Sequence, residues 1–222
     1  MQLEEMSAFF TARAAEYDAH MLEEVQGCKE GYRRLAEEVP QTVSSLLDLG
    51  CGTGLELAEI FQRLPGLHVT GIDLTQAMLD RLADKYSQHS LTLLCGDYFS
   101  LPFGEEAYDA VISFQTLHHF SHAEKKKLYT KIFRALRPQG LYLECDYMVE
   151  TQAEEDFYFT ENARLRQEQG IPPEAFFHYD TPCTVGNQVR LLHAAGFARA
   201  KSLWREGNTT LLRAEKTTAE KR

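Results

Sequence analysis

The stretch LDLGCGTG at residues 47–54 links a short apolar run to a helical repeat. The apolar residues at 45–49 predict a buried strand, and those at 55–64 recur with the spacing of a helix. Glycines between them let the backbone turn tightly and pass close to a bound molecule. In an open α/β sheet, ligands bind at the carboxyl ends of the strands. The stretch therefore predicts an α/β fold with a ligand-binding loop after its first strand.

Short apolar runs alternate with helical stretches on the C-terminal side of this loop. Further buried strands are predicted at 68–72, 91–95, 109–114 and 141–145, with helices at 75–86 and 122–136. This alternation is typical of a parallel sheet with right-handed crossovers. After a helix at 185–195, strands at 198–205 and 209–215 flank a turn and predict a terminal antiparallel hairpin.

The length of 222 residues fits a single domain over residues 1–222 with two segments outside the sheet. Residues 1–40 predict an N-terminal helical cap. Residues 151–183 are rich in aromatic side chains and contain a Pro-Pro pair, and we interpret them as an inserted cover over the substrate that adds no strand. In such a cover, an aromatic side chain such as Phe176 or Tyr179 would close over the pocket opposite Tyr17. The same aromatic side chains could equally form a dimer surface or part of the core. The last residues, 217–222, predict a frayed tail.

Composition and charge exclude several classes of protein. Lys plus Arg number 23 and Asp plus Glu 33, a net charge of −10, which argues against binding DNA or anionic lipid through basic patches. No apolar run approaches the roughly 20 residues that span a bilayer, and the acidic residues 1–6 do not resemble a signal peptide. The five cysteines form no C-x-x-C pair and predict reduced thiols. We expect a cytoplasmic protein, a monomer or homodimer, whose partner is a small molecule.

The glycine loop differs from the loop that binds dinucleotides. Its third glycine comes one residue early, and Asp48 in front of it would repel a pyrophosphate. Asp73, about 20 residues further on, lies where a carboxylate accepts hydrogen bonds from a ribose. Asp97 could accept the adenine amino proton while Tyr98 packs on the ring, although Asp97 could instead cap a turn. A nucleoside with a cationic amino-acid tail, S-adenosylmethionine (SAM), fits this pattern.

Taken together, the motifs at 47–54, 71–73, 96–97, 108–111 and 136–140 resemble the class I SAM-dependent methyltransferases, over about residues 9–150 and the hairpin. The resemblance implies a Rossmann-like, seven-stranded sheet, mostly parallel with an antiparallel C-terminal strand and helices on both faces. The cofactor-binding residues expected are Tyr17, Asp48, Gly50, Cys51, Gly52, Gly54, Asp73, Leu74, Met78, Gly96, Asp97, Tyr98 and Phe114. Among these, Tyr17 would belong to a lid helix or to a core stripe, Cys51 would be a small filler, and Phe114 would border the sulfonium.

Methyl transfer from a sulfonium needs mainly alignment and the exclusion of water, with a base only where the acceptor must lose a proton. His118 and His119 are the candidate catalytic residues, although an extended segment would direct only one of them into the pocket. Alternatively, one packs on the cofactor loop and the other caps the next helix. Glu144 and Asp146 lie where metal-dependent catechol-type relatives place ligands, but the Asp-Asn pair of those relatives is missing, so no metal is expected.

Three functions are compatible with these motifs. The leading prediction is a SAM-dependent methyltransferase acting on a small molecule. The second is a carboxy-SAM synthase of tRNA wobble modification, in which Arg190 would pair with an additional carboxylate; Arg190 could equally be a solvated helix residue. The third is a catalytically silent SAM-binding protein.

Overall fold

Parallel strands form the centre of the molecule in a computed structural model, which describes residues 1–217. The predicted tail lies almost wholly outside the described residues. The strands are β1 (Ser45–Leu49), β2 (His68–Asp73), β3 (Ser90–Cys95), β4 (Tyr108–Phe114), β5 (Leu136–Val149), β6 (Cys183–Thr184), β7 (Arg199–Glu206) and β8 (Thr209–Glu215). The main sheet has the order β3-β2-β1-β4-β5-β8-β7, in which β8 is antiparallel to both of its neighbours. The predicted seven-stranded mixed sheet is confirmed.

Helices pack against both faces of this sheet. They are α1 (Met6–Arg13), α2 (Tyr17–Glu23), α3 (Cys28–Glu38), α4 (Leu57–Arg63), α5 (Gln76–Lys85), α6 (His122–Ala135), α7 (Gln152–Glu168) and α8 (Val185–Ala194). Successive side chains of a strand point to opposite faces. Leu46 accordingly packs in a core with α3, α4 and α5, whereas Leu47 packs in a second core with α6 and α8.

The register of the strands brings three loops together. Leu49, the last residue of β1, pairs with Ile72 on one side and with Ser113 on the other. The Ile72 carbonyl also accepts hydrogen bonds from the Gly50 and Cys51 N–H groups, at 2.8 and 3.1 Å. The glycine loop is thereby fixed beside the end of β2, where the sequence placed a ligand.

The segment 151–183 is more regular than the sequence suggested. A capping box of Thr151 and Glu154 starts the 17-residue helix α7. At the other end, Cys183 and Thr184 form β6, which pairs in parallel with the end of β5. The prediction that this segment adds nothing to a sheet is therefore wrong at Cys183, which is fully buried and continues the β5 edge.

The N-terminal segment contacts the end of this insertion through the backbone. Met6 N–H donates to the Phe176 carbonyl at 3.0 Å, and His178 N–H donates to the Glu4 carbonyl at 2.8 Å. The Phe9 and His178 rings stack with centroids 3.6 Å apart. We call this contact between residues 4–9 and 176–178 the strap. Within residues 1–217, no helix combines the length and the apolar character needed to cross a membrane.

Candidate active site

Two glycines of the loop line a cavity at the carboxyl ends of β1 and β2. Gly50 and Gly52 have φ angles of +68° and +48°, which L side chains rarely adopt. A Cβ at Gly50 would collide with Thr116. A Cβ at Gly52 would meet only the Tyr17 ring, at 3.7 Å. The loop therefore presents bare backbone to the cavity, which leaves room for a ligand beside it.

Two other residues of the loop face the protein interior. A Cβ at Gly54 would lie 3.0 Å from atoms of Leu82 and Tyr86, and the Tyr86 hydroxyl donates to the Gly54 carbonyl at 2.8 Å. Cys51 packs its sulfur against Gly71, and burial raises the pKa of its thiol well above the usual value. Neither residue lines the cavity. Both residues pack on the side of the loop that faces the protein interior and so fix its shape, and Cys51 does so as a small filler.

Asp48 lies behind the loop as a buried acid without a donor. Neither of its carboxyl oxygens has a hydrogen-bond donor within residues 1–217. Burial, reinforced by the charges of Glu56 and Asp73, raises the pKa of Asp48 well above its usual range. Burial likewise raises the pKa of Glu56 to about 7. This accumulation of acid next to the loop suits a ligand that carries positive charge.

Asp73 connects the loop to the end of β2. Its carboxylate accepts hydrogen bonds from the Gly52 and Thr75 N–H groups, each at 2.9 Å, and from the Thr75 hydroxyl at 3.1 Å. A carboxylate has about four acceptor positions, so capacity remains for a ligand hydroxyl. Asp73, Leu74 and Met78 all line the cavity.

The opposite wall follows β3. Gly96, Asp97 and Tyr98 line the cavity there. Asp97 accepts hydrogen bonds from the Phe99 N–H at 2.8 Å and from the Ser100 hydroxyl at 2.9 Å. The turn-capping role is thus present in the structure, and it holds the carboxylate at the cavity wall. Burial raises the pKa of Tyr98, whose hydroxyl contacts the Thr116 hydroxyl at 3.2 Å.

Tyr17 and Phe114 occupy different environments. Tyr17 begins α2 and lines the cavity next to Phe10. Phe114 instead stacks on Tyr32 of α3, with ring centroids 3.9 Å apart, and lies in the core away from the cavity wall. The residue after it, Gln115, reaches the cavity. Its backbone turns there, with φ at +48°.

A second, larger cavity of about 770 Å³ adjoins the first. The two share the side chains of Phe10, Tyr17, Gln115 and His119. Phe176, which belongs to the segment expected to cover the substrate, lines the first cavity together with Tyr17. Sequence reasoning did not assign five other residues of this cavity: Met6, Phe10, Gln115, Thr116 and Phe120. Gln115 and Thr116 could have been found from their place directly after a strand of the sheet. Met6 could not, because only the strap brings it next to Phe176 from a distant part of the chain.

Both candidate histidines face the second cavity. The restriction to one histidine was expected only for an extended segment, and it does not apply because residues Leu117–His119 form a 3₁₀ turn. The alternative in which a histidine caps α6 is wrong, since Ser121 and Glu124 form the cap of that helix. His119 lines the first cavity as well.

The two histidines have opposite electrostatic surroundings. His118 Nδ1 lies 2.5 Å from Asp146 Oδ1, and that buried carboxylate raises the pKa of His118. Burial and the neighbouring His118 and His178 lower the pKa of His119 well below its usual value. Asp146 is itself held by the Leu117 N–H at 2.9 Å. From sequence, Asp146 was considered only as a possible metal ligand, and its contact with His118 was not predicted.

Other polar residues considered from sequence lie elsewhere. Glu144 accepts a hydrogen bond from the Tyr129 hydroxyl at 2.7 Å and contacts Gln188, in a buried cluster behind β5. Arg190 lies on α8 and lines neither cavity.

Two groups within residues 1–217 offer ligand atoms to a metal ion. They are His118 with His119 and Asp180, and His122 with Glu155 and Cys183, and the ligand atoms of each group lie within 4.8 Å of one another.

Comparison with known proteins agrees with the fold and the loop. Residues 46–140 match the family model of the methyltransferase domain. Sterol 24-C-methyltransferase ERG6A of Gibberella zeae is 26% identical over 191 residues, covering 84% of this chain and 43% of that protein. The carboxy-S-adenosyl-L-methionine synthase of Trichodesmium erythraeum is 28% identical over 177 residues, covering 73% of this chain and 69% of that protein. These matches assign residues 46–140 to the methyltransferase domain family.

The three-dimensional similarity extends over nearly the whole chain. The solved structure of DhpI with S-adenosylhomocysteine (SAH) superposes with a TM-score of 0.70 at 16% identity, covering 96% of this chain and 95% of that one. The chain spans less than half of the sterol methyltransferase, so the acceptor of that enzyme does not transfer to it.

Proposed function

We propose that this methyltransferase moves the methyl group of SAM, bound in the first cavity, to a small molecule bound in the second. The observation that carries the proposal is the shared wall of Phe10, Tyr17, Gln115 and His119. Residues that line both cavities would hold the two reactants next to each other, as direct displacement without a covalent enzyme intermediate requires. Holding them there supplies the proximity on which this reaction depends.

Different walls of the first cavity bind different parts of the cofactor. Asp73 accepts hydrogen bonds from the ribose, and Asp97 with Tyr98 holds the adenine. Gly50 and Gly52 leave space for the methionine portion, whose positive charge is favoured by the buried acids Asp48 and Glu56. SAM itself supplies an activated methyl group, so the protein has no leaving group to protonate.

The second cavity has the mixed lining expected for a small, partly polar acceptor. Phe9, Phe10 and Tyr147 contribute aromatic surface, and His118 and Asp180 contribute polar atoms. The strap closes over both cavities and limits the access of water. An imidazole nitrogen in this cavity can either accept a proton from the acceptor or hold a cation that acidifies it. His118 and His119 remain the proposed catalytic residues.

Carboxy-SAM synthesis is the second candidate, because the relative with that name aligns over most of both chains. Arg190, the residue expected to pair with the additional carboxylate, lines neither cavity. Arg13 is a cationic side chain that lines the second cavity, and Glu4 neutralises it at 3.0 Å. These positions favour methyl transfer. The expected cytoplasmic location and monomeric or dimeric state remain part of the proposal.

Two measurements test the proposed function. Calorimetry should show binding of SAM and SAH and none of NAD, and micromolar binding of NAD without SAM would contradict the assignment. Release of SAH from SAM in the presence of a panel of small metabolites tests transfer. Mass spectrometry of the ligand that copurifies with the protein separates SAM from its carboxylated form. A protein that binds SAM but releases no SAH with any metabolite extract would be a binding protein.

A further inference from the structure

The imidazoles of His118 and His119 approach the same oxygen atom of Asp180 at the edge of the second cavity. His118 Nε2 lies 3.5 Å from Asp180 Oδ1, and His119 Nδ1 lies 3.4 Å from the same oxygen. Asp180 Oδ1 is buried and has no hydrogen-bond donor within residues 1–217. A third imidazole nitrogen, His178 Nε2, lies farther away, at 3.9 Å. The Asp180 side chain is 37% exposed, but this oxygen is enclosed, and a buried polar atom without a partner costs free energy. A cation shared with the two nearer imidazoles would remove that cost.

The spacing of these atoms matches the coordination shell of a small divalent ion. Zinc binds histidine nitrogen and carboxylate oxygen at about 2.0–2.2 Å in a tetrahedron, so neighbouring ligand atoms lie roughly 3.3–3.5 Å apart. Both distances to Asp180 Oδ1 fall at this value. The two histidine ligand atoms lie within 4.8 Å of each other, so all three ligand atoms form one close group.

His118 also has the support typical of a metal ligand. Its Nδ1 contacts the buried Asp146 carboxylate at 2.5 Å, which holds the ring with the Nε2 lone pair toward Asp180. Metal-bound histidines usually donate their other nitrogen to such a carboxylate, which fixes the tautomer and orients the ring. Asp146 in turn accepts hydrogen bonds from the Leu117 and Tyr147 N–H groups, at 2.9 and 2.8 Å. His119 would exchange its 3.3 Å contact with the Tyr179 carbonyl for the ion and carry its proton on Nε2.

We propose that His118, His119 and Asp180 form a binding site for a divalent transition-metal ion, with zinc as the representative. Three protein ligands leave a coordination position open, which is typical of catalytic and not of structural zinc sites. That position faces the second cavity, so an oxygen of the acceptor can occupy it. The bound ion would lower the pKa of an acceptor hydroxyl and so replace a general base. This role rests on the proposed function, whereas metal binding itself does not.

The sequence predicted no metal because it considered only residues next to β5. The ligands proposed here lie about 60 positions apart and meet only in the folded chain. The second group of possible ligands is less suitable. Its Glu155 carboxylate already accepts hydrogen bonds from the Thr184 N–H and the Asn187 amide, and the Lys125 ammonium lies 3.2 Å from the Cys183 sulfur. A cation there would compete with an ammonium for the same thiol.

Metal titration of the full chain tests the site without any acceptor. The chain, free of affinity tags and treated with a chelator, is titrated with Zn²⁺ by calorimetry and with Co²⁺ by visible absorption. We expect one ion per chain and a Co²⁺ spectrum of tetrahedral type. Asp180→Asn should weaken binding more than about tenfold, and Asp146→Asn by roughly 10–100-fold, the range for losing the carboxylate behind a metal-bound histidine. His122→Ala serves as the matched control and should bind as the parent does.

Three results would contradict the proposal. In the first, the parent chain binds no ion; in the second, Asp180→Asn binds the ion as the parent does. In the third, His122→Ala abolishes binding while Asp180→Asn retains it. His118→Ala should also lose binding, but its buried contact with Asp146 can be needed for folding. The conclusion therefore rests on Asp180→Asn, a change in a partly exposed side chain, with thermal melts to check its fold. Binding of SAM, measured in the same samples, tests the proposed function separately.

Discussion

The two cavities share four residues, but they are built in different ways. The walls of the cofactor cavity are mostly loops that directly follow β1, β2, β3 and β4, and backbone hydrogen bonds to the sheet fix the glycine loop. The second cavity is closed by α1, α2 and residues 178–180, which lie outside the main sheet. Segments that pack on few neighbours open at lower free energy than a central sheet. The cofactor side is therefore the rigid half of the site and the acceptor side the adjustable half.

The largest expected effect is the pH dependence of stability that comes from the buried carboxyl groups of Glu56 and Asp48, next to the glycine loop. Glu56 has a pKa of about 7 in the folded chain and an ordinary carboxyl value when unfolded. As pH rises from about 4.5 to 7, the unfolded chain releases this proton first, so the free energy of unfolding falls, by up to about 3 kcal/mol. Asp48 acts in the same direction. Urea unfolding at about pH 5 and about pH 8 should show this loss in the parent.

A variant distinguishes the contribution of Glu56 to this pH dependence from the contributions of other groups. Glu56→Gln should show a smaller loss between the two pH values. Glu59→Gln, in helix α4 directly after Glu56, should behave as the parent does. SAM should reduce the loss as well, because its positive charge offsets the buried carboxylates. An unchanged pH dependence in Glu56→Gln would mean that the acids near this loop do not titrate with folding.

Asp73 tests how much of the cofactor affinity depends on one carboxylate. Asp73→Ala should weaken SAM binding by about 1.5–3 kcal/mol, the range for hydrogen bonds to a charged group. That corresponds to a roughly 10- to 150-fold rise in Kd by calorimetry. Asp80→Ala, an exposed acid that contacts only Gln76, is the control and should bind SAM normally. Equal affinity in Asp73→Ala and the parent would remove Asp73 from the ribose site.

The strap tests whether the adjustable half responds to the cofactor. Residues 4–9 and 176–178 should exchange their amide hydrogens more slowly once SAH is bound, because Met6 and Phe176 line the cofactor cavity. Helix α8, which lines neither cavity, serves as the reference. If the strap exchanges equally with and without SAH, it is fixed structure and the comparison of the two halves fails.

The smallest effect compares two helices that start with the same motif. Ser121 at α6 and Thr151 at α7 each form a capping box, with the N–H of the third residue donated at 3.3 and 3.2 Å. Ser121→Ala and Thr151→Ala should each cost about 1 kcal/mol in their helix. In hydrogen exchange, the first change should reduce protection across the sheet, because α6 packs on it. The second should reduce protection mainly in α7, and an equal global loss from both would show that the insertion unfolds with the core.

Local sequence signals were enough for the sheet and for much of the cofactor wall. The main strands lie within a few residues of the predicted ones, because apolar runs ending in glycine determine them locally. Single side chains could be placed correctly where they lie at or just after the end of a strand, as Asp73 and Asp97 do. The contact of Phe114 with Tyr32 was not predictable, since it depends on how α3 crosses the sheet. The approach of Asp180 to His118 likewise requires the folded insertion.

One hydrogen bond of the strap has a consequence for the timing of turnover. Met6 and Phe176 are joined through their main chains at 3.0 Å, and the same two residues line the cofactor cavity. Under the proposed function, SAH would leave the cavity only once the strap opens. The turnover rate would then not exceed the rate at which the strap opens, and stronger contacts within the strap would give a more stable but slower enzyme.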